Sequence, residues 1–266
     1  MNNQVVLITG CSSGVGRNLC VALKKRGYTV VASARSLHKI EDLDVDMKVE
    51  LDVTKGNTIK RAVDEMILRF GRIDILVNNA GYSVRVAVEE MNLHETEKMF
   101  DVNVYGVIRM IQEVAPYMRK QHYGKIVNIG SVAGKLTGMI NGGYSATKHA
   151  VEAISEAARY ELKQFGIQVT LLEPGAIETE FFNTLSLNSD QRMQRSESPY
   201  YAFYQRNLEE QKTQKRADVQ ESVERICRII DKKKWKVRYT ISLPLIYSIL
   251  IKLPDGIKEK LILKFS

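Results

Sequence analysis

The stretch Gln4-Val5-Val6-Leu7-Ile8-Thr9-Gly10-Cys11-Ser12-Ser13-Gly14-Val15-Gly16-Arg17 decides how the chain is read. Val5 to Thr9 is apolar and β-branched, the composition of a buried strand. Glycines follow where that strand must turn, and Asn18 to Arg26 then carries Leu19, Ala22 and Leu23 at helical spacing. A glycine-rich turn between strand and helix presents bare N–H groups and the positive end of a helix dipole, which together receive a phosphate. The spacing is Gly-x-x-x-Gly-x-Gly, a longer loop than the dinucleotide fingerprint G-x-G-x-x-G.

Outward from that loop the same alternation continues. Apolar β-branched runs recur at residues 4–9, 28–34, 47–51, 73–77, 125–129, 167–172 and 237–242. Between them lie helix-patterned stretches, among them Thr58 to Phe70, Glu95 to Lys120, Tyr144 to Phe165 and Val219 to Asp231. Strands alternating with helices predict an α/β fold: about seven parallel strands, doubly wound, with helices on both faces and ligands at the strands' carboxyl ends. The 266 residues, 44% of them hydrophobic, suffice for a sizeable core, and no linker interrupts them, so one domain over 1–266 is expected.

Two further features carry chemistry. Tyr144 and Lys148 stand four residues apart, which on a helix puts a phenol and an ammonium on one face, one turn apart. A tyrosine titrates near ~10 in water and exchanges protons poorly at neutral pH unless a positive charge favours its phenolate, a charge Lys148 could supply. At the end of the second strand, Ala32-Ser33-Ala34-Arg35 lacks the carboxylate that would hold an adenosine ribose hydroxyl; none appears until Glu41. Arg35 instead offers a fork for a ribose 2′-phosphate, which favours NADP(H) over NAD(H) as cofactor, NAD(H) staying possible.

On these residues the chain resembles the classical short-chain dehydrogenases/reductases over nearly its whole length, with a Rossmann-type sheet. Gly10, Ser12, Ser13, Val15 and Gly16 match that family's glycine loop; Asp52 and Val53 match its adenine contact; Asn79, Ala80 and Gly81 lie in the match Asn78-Asn79-Ala80-Gly81 to its fourth-strand motif. Asn103, Ser131, Tyr144 and Lys148 match its catalytic tetrad. Pro174, Gly175, Ile177 and Thr179 fall in the segment that in this family closes on the nicotinamide and pyrophosphate. The resemblance implies that Tyr144 is the acid/base between a carbonyl and a secondary alcohol, and that Ser131 orients the substrate oxygen. It implies that Lys148 lowers the tyrosine pKa and holds the nicotinamide ribose, and that Asn103 holds a water on a proton route. Three departures stand out: Gly130 replaces a frequent second serine, Cys11 a common alanine, and Ser13 a basic residue of some NADP-dependent members, leaving Arg35, with help from Arg17, to meet the extra phosphate. The pattern is closest to the hydroxysteroid-dehydrogenase-like branch, which implies a small, apolar ketone or alcohol substrate. A non-catalytic NADP(H)-binding sensor or scaffold is the alternative, against which the intact tetrad argues. Relatives pair through helices equivalent to Glu95–Lys120 and Tyr144–Phe165, implying a homodimer or homotetramer.

Two segments break the alternation. Asn183 to Ala217 is polar, with an aromatic cluster at Tyr200, Tyr201, Phe203 and Tyr204, and resembles a substrate-covering lid; the aromatics could line a pocket or pack a helix onto the body. From Ile241 an uncharged run reaches Ile251, followed by Lys252, Lys258, Lys260 and Lys264 among Leu and Ile. Residues 241–266 could pack on the body or a second subunit, wall the pocket, or rest on an anionic membrane surface. The 39 Lys and Arg against 31 Asp and Glu leave a net charge of +8, yet no nucleic-acid-binding signature accompanies it and no nucleic-acid partner is expected. Three unpaired-looking cysteines and four scattered histidines predict neither disulfide nor metal site, and reduced thiols with no leader pattern imply a cytoplasmic protein.

Overall fold

The computed structural model describes residues 3–182 and 193–264. Seven parallel strands form one sheet: β1 Val5–Ile8, β2 Thr29–Ala34, β3 Met47–Glu50, β4 Ile75–Asn78, β5 Gly124–Ile129, β6 Ile167–Pro174 and β7 Arg238–Ile241, in spatial order β3-β2-β1-β4-β5-β6-β7. The order reverses between β1 and β4, where Ile8 pairs with Ala32 on one side and Val77 on the other. A crevice opens at such a reversal, outside the strands' carboxyl ends.

Side-chain alternation along β1 shows why helices cover both faces. Val6 and Ile8 join Leu19 and Leu23 of α1 (Gly14–Lys25) and Ile226 and Ile230 of the helix Val219–Ile230 in one core layer. Val5 and Leu7 join Ile59 and Met66 of α2 (Gly56–Phe70) and Met110 and Val114 of the helix Gly106–Gln121 in the other. In chain order the remaining helices are α3 Leu93–Phe100, α4 Gly106–Gln121, α5 Gly142–Leu162, α6 Tyr201–Thr213, α7 Val219–Ile230, α8 Leu245–Leu250 and α9 Asp255–Lys264. Arg238 fastens edge strand β7 to the body, with Nη1 2.7 Å from Glu152 on α5 and 2.9 Å from Glu173 on β6.

The strands match the sequence reading to within a residue or two. The helix expected over Glu95 to Lys120 is instead divided into α3, a π-helical turn at Asp101–Tyr105, and α4. The wide turn surrounds buried Asn103, whose side chain bonds backbone outside the helix. Such a bulge often marks a functional position. Residues 183–192 of the expected lid lie outside the described residues. In the remainder, Tyr204 is fully buried, donates to Glu90 and accepts from the Ala87 N–H, while Tyr200 and Phe203 pack beside it on Val86 and Ile140. Of the two uses open to this aromatic cluster, packing α6 onto the body is the one its contacts serve. In the tail, Leu245, Ile246 and Ile249 of α8 stay exposed, while Asp255, Lys258 and Ile262 of α9 face Lys135, Leu136 and Thr137. No described helix is long and apolar enough to cross a membrane.

The turn into β6 rests on Gly166, which has φ +74° and would carry a Cβ only 2.4 Å from the His122 carbonyl oxygen. Gly166→Ala is expected to lower the unfolding free energy read from urea titration by more than the ~1–2 kcal/mol of a left-handed residue. Gly56→Ala, where a Cβ meets nothing within 4 Å, is expected to be neutral or mildly stabilising in the same assay.

Candidate functional site

The site lies where β1, β4, β5 and β6 end. Gly10 leaves β1 with φ +73°, and a Cβ there would stand 2.9 Å from the Ala80 Cα. At Gly16, in the first turn of α1, a Cβ would come within 2.5 Å of the Gly10 carbonyl oxygen. The loop thus needs glycine at both places to press onto the end of β4. Thr9 and Asn79 lock it there: Thr9 Oγ1 accepts from the Asn79 and Ala80 N–H groups at 3.0 Å each, and Asn79 Nδ2 donates to the carbonyls of Thr9 and Gly10 at 2.9 and 3.1 Å. Ser12 and Ser13 form the turn, Ser13 as the extended N-cap residue, with Val15 half-buried behind it.

The loop's aptitude for phosphate is visible in what touches it. Glu180 Oε2 accepts from the Gly14 N–H at 3.0 Å, so a carboxylate oxygen stands in for an anionic oxygen at the α1 N-terminus. Thr179 lies 3.4 Å from the position of a Gly14 Cβ, and Ile177, bridged to Ala217, is buried beneath it. Pro174 ends β6, and the Gly175 N–H donates to the Ile241 carbonyl at 2.9 Å. At the far end, Asp52 caps its own turn, accepting from Thr54 N–H at 2.9 Å, and Val53 is buried against Gly106. Arg35 is exposed just past β2, without an ion pair among the described residues. Arg17 is spent elsewhere, on Asp42 and the Lys39 carbonyl, so it does not reinforce Arg35. This loop, its amide N–H groups and Arg35 fit an extended dinucleotide along the sheet's carboxyl edge.

Tyr144 and Lys148 do share one face of α5, with the ammonium 5.7 Å from the ring centroid. Ser131 follows the end of β5, its Oγ accepting from the Ala133 N–H at 3.1 Å. The hydroxyl of Tyr144 lies deep although part of its ring stays accessible. Burial pushes this phenol up to about 12, outweighing the Ser131 hydroxyl and the Arg85 charge that favour its ionised form. Lys148, buried with Nζ donating to the Ile129 carbonyl at 2.7 Å, is pushed down to about 8. Desolvation thus dominates both groups, and the tyrosine lies above its ordinary value, not below it as the family resemblance implies. Asn103 Nδ2 donates to the Tyr82 carbonyl and Thr147 Oγ1, and its Oδ1 accepts from the Tyr82 N–H, which fixes the segment after Gly81. His149 bonds back to the Ser145 carbonyl at 2.9 Å, outside the site.

Sequence reasoning missed four neighbours. Phe181 lies 6.0 Å, centroid to centroid, from Tyr144; Phe182 packs on Phe181; Arg216 covers Phe182; and the Arg85 charge reaches the Tyr144 hydroxyl. None has a spacing rule that would bring it to Tyr144. Among the described residues no His/Cys/Asp/Glu cluster could hold a metal ion, and the three cysteines are buried and free.

A phosphate-receiving glycine loop at the switch point of a parallel sheet, with a tyrosine and a buried lysine on one helix face, defines a nucleotide-binding oxidoreductase. The chain belongs to the short chain dehydrogenase family, whose model matches residues 4–190. It is 32% identical to the probable short-chain type dehydrogenase/reductase VdlC of Helicobacter pylori, over 90% of this chain and 88% of that one. It is 37% identical to the 3-ketodihydrosphingosine reductase of Bacteroides thetaiotaomicron, over 71% and 69%. Among solved structures, a short-chain dehydrogenase from Streptomyces avermitilis superposes with TM-score 0.77 at 32% identity over 90% and 88% of the two chains. A 3-ketoacyl-(acyl-carrier-protein) reductase from Brucella melitensis complexed with NADH gives 0.74 at 25% over 89% and 96%, and ElxO with NADP bound gives 0.73 at 25% over 90% and 97%. The protein is an enzyme of this family.

The lysine's depressed pKa has a thermodynamic consequence. Between about 8 and its unfolded value of 10.5 the unfolded chain binds the additional proton, so the cost of the buried charge is full below pH 8 and is relieved as pH rises. Relative to Lys148→Met, the unaltered protein is expected to gain stability from pH 8 to 10, on the order of 2–3 kcal/mol at ~1.36 kcal/mol per unit, measured by urea unfolding.

Proposed function

We propose that the enzyme interconverts a carbonyl and a secondary alcohol, with NADP(H) preferred over NAD(H). The observation that carries this reading is the single face of α5 that Tyr144 and Lys148 share, with the Lys148 ammonium 5.7 Å from the Tyr144 ring centroid. When bound, the nicotinamide supplies or accepts the hydride. In reduction Tyr144, protonated at neutral pH, gives its hydroxyl proton to the carbonyl oxygen, which Ser131 holds in line. Lys148 keeps a proton at pH 7 and places positive charge beside the phenolate left behind. In oxidation Tyr144 takes the alcohol proton. The substrate is a ketone or alcohol on an apolar frame, a reading supported by the apolar rings of Phe181 and Phe182 beside Tyr144 and by ketone reductases among the relatives. The exposed Tyr105 and Tyr160, on the two central helical segments, suit pairing with a second copy through them.

A coenzyme-oxidation screen over ketones and aldehydes tests the reading. Tyr144→Phe is expected to lose all measurable turnover while NADPH still quenches the fluorescence of the protein; an unaltered protein inert on every carbonyl would instead favour a binding-only role. Arg35→Ala is expected to lower kcat/KM for NADPH about 10- to 100-fold, the worth of a charge-assisted hydrogen bond, and to change the NADH value less than about threefold. Equal losses with both coenzymes would remove Arg35 from phosphate recognition.

A further inference from the structure

One face of α5 carries three polar side chains on successive turns, Tyr144, Lys148 and Glu152. The third is buried, and the reaction described above leaves it unused. Glu152 Oε2 lies 2.6 Å from Lys135 Nζ and 2.7 Å from Arg238 Nη1, while the buried Oε1 has no partner among the described residues. Two cations therefore converge on a single oxygen. A carboxylate taken out of water is tolerated only where such pairing replaces its hydration, so both ties are held firmly.

Lys135 ends the turn that begins at Ser131. Ser131 is the N-cap residue of a 3₁₀ turn, Val132–Gly134; its Oγ accepts from the Ala133 N–H at 3.1 Å and its carbonyl from the Gly134 N–H at 2.9 Å. The Val132 carbonyl accepts from the Lys135 and Leu136 N–H groups at 2.9 Å each, which makes residues 131–136 one hydrogen-bonded unit. That unit lies directly on α5: a Cβ on Gly134 would stand 3.0 Å from the Lys148 carbonyl oxygen and 3.2 Å from Glu152 Cγ. Close packing sets how near the turn comes to the helix. A charge-assisted hydrogen bond is directional, so the Lys135–Glu152 pair also sets how far the turn slides along it.

We propose that Glu152 is a positioning residue: through Lys135 it holds the Ser131 turn in register on the face of α5 that carries Tyr144 and Lys148. The inference rests on the carbonyl–alcohol reading above and deepens it by naming what aims the serine. One helix then places all three groups, Tyr144 and Lys148 through its own backbone and Ser131 through the ion pair. Arg238 has a separate part. Its Nη1 also donates to Glu173 at 2.9 Å, so the edge strand keeps a carboxylate partner when Glu152 loses its charge. Lys135, with its side chain 30% exposed, is the less invasive end of the pair to change.

Lys135→Met, Glu152→Gln and Lys135→Arg are assayed with NADPH on the best ketone from the coenzyme-oxidation screen. The first two are each expected to lower kcat about 10- to 100-fold, the cost of a reacting oxygen about 1 Å out of line, with KM and the NADPH dissociation constant within about threefold of the unaltered values. Lys135→Arg is expected to restore most of kcat, because a guanidinium still pairs with the carboxylate. In a Ser131→Ala background, followed by single-turnover coenzyme oxidation, Lys135→Met is expected to cost less than about threefold more, since the group it aims is gone. Amide hydrogen exchange reads the same tie without turnover: residues 131–136 are expected to exchange about tenfold faster in Lys135→Met, with β1 and β4 unchanged. A kcat for Lys135→Met within about twofold of the unaltered value overturns the proposal, and so does unchanged exchange in the turn. Equal losses with and without the Ser131 hydroxyl also overturn it, by making the pair a general brace of the fold. A protein that reduces no carbonyl sinks the carbonyl–alcohol reading instead, and exchange in the turn then still decides whether Glu152 holds it.

Discussion

The ammonium of Lys148 is buried at the end of β5, and the site is arranged around its cost. Removing a charge from water costs several kcal/mol even after relaxation, and one hydrogen bond, to the Ile129 carbonyl, returns only part of that. The lysine stays inside because α5 gives it no other direction. The same helix carries Glu152 one turn on, tied to Lys135 and to Arg238 of the edge strand, so rotating α5 to expose Lys148 would break a buried carboxylate's ion pairs. Gly81 and Asn103 close the other side: a Cβ on Gly81 would stand 3.1 Å from Asn103 Oδ1 and 3.9 Å from Lys148 Nζ. The π turn, the fourth-strand motif and the lysine therefore form one packed unit.

Sheet topology explains why that unit meets the glycine loop. Because β4 lies between β1 and β5, the residues after Asn78 are flanked by Gly10 on one side and Ser131 on the other. Beneath them, Asn78 donates to Asn128 and Asn128 to Ser155, each at 2.8 Å, a buried polar ladder crossing from β4 through β5 to α5. The two buried side-chain bonds tie the three elements together, although Asn78 Oδ1 has no partner among the described residues. Proton chemistry on α5 and anion binding at α1 are thereby held in register by strands that touch neither reactant.

Fold class was legible because it is written in periodicities: Val6 and Ile8 against Val5 and Leu7 already specify helices on two faces. The pair Tyr144 and Lys148 was legible because it sits at a helical repeat, which fixes a common face without tertiary knowledge, whereas Asn103 and Ser131 came only with the family resemblance. Three things were not. The π turn at Asp101–Tyr105 keeps an apolar pattern that reads as continuous helix, since one extra residue in a turn shifts the phase too little to notice. The proton affinities of Tyr144 and Lys148 follow from burial, which spacing does not encode. Phe181 comes to Tyr144, and Arg216 to Phe182, only through tertiary packing, and neither contact follows from spacing along the chain.

Burial alone would make both members of the tyrosine–lysine pair prefer their uncharged forms, the phenol near 12 and the amine near 8. A phenolate formed by giving up the proton must then be stabilised by charges still present at neutral pH: Arg85, whose field already favours the ionised phenol, and the Lys148 ammonium, 5.7 Å from the ring centroid on the same helix. Because burial outweighs these charges, Tyr144 holds its proton until negative charge develops on a neighbouring oxygen. The buried tyrosine therefore rests in its donor state, the state that reduction needs, and the charges beside it matter most once the proton has left.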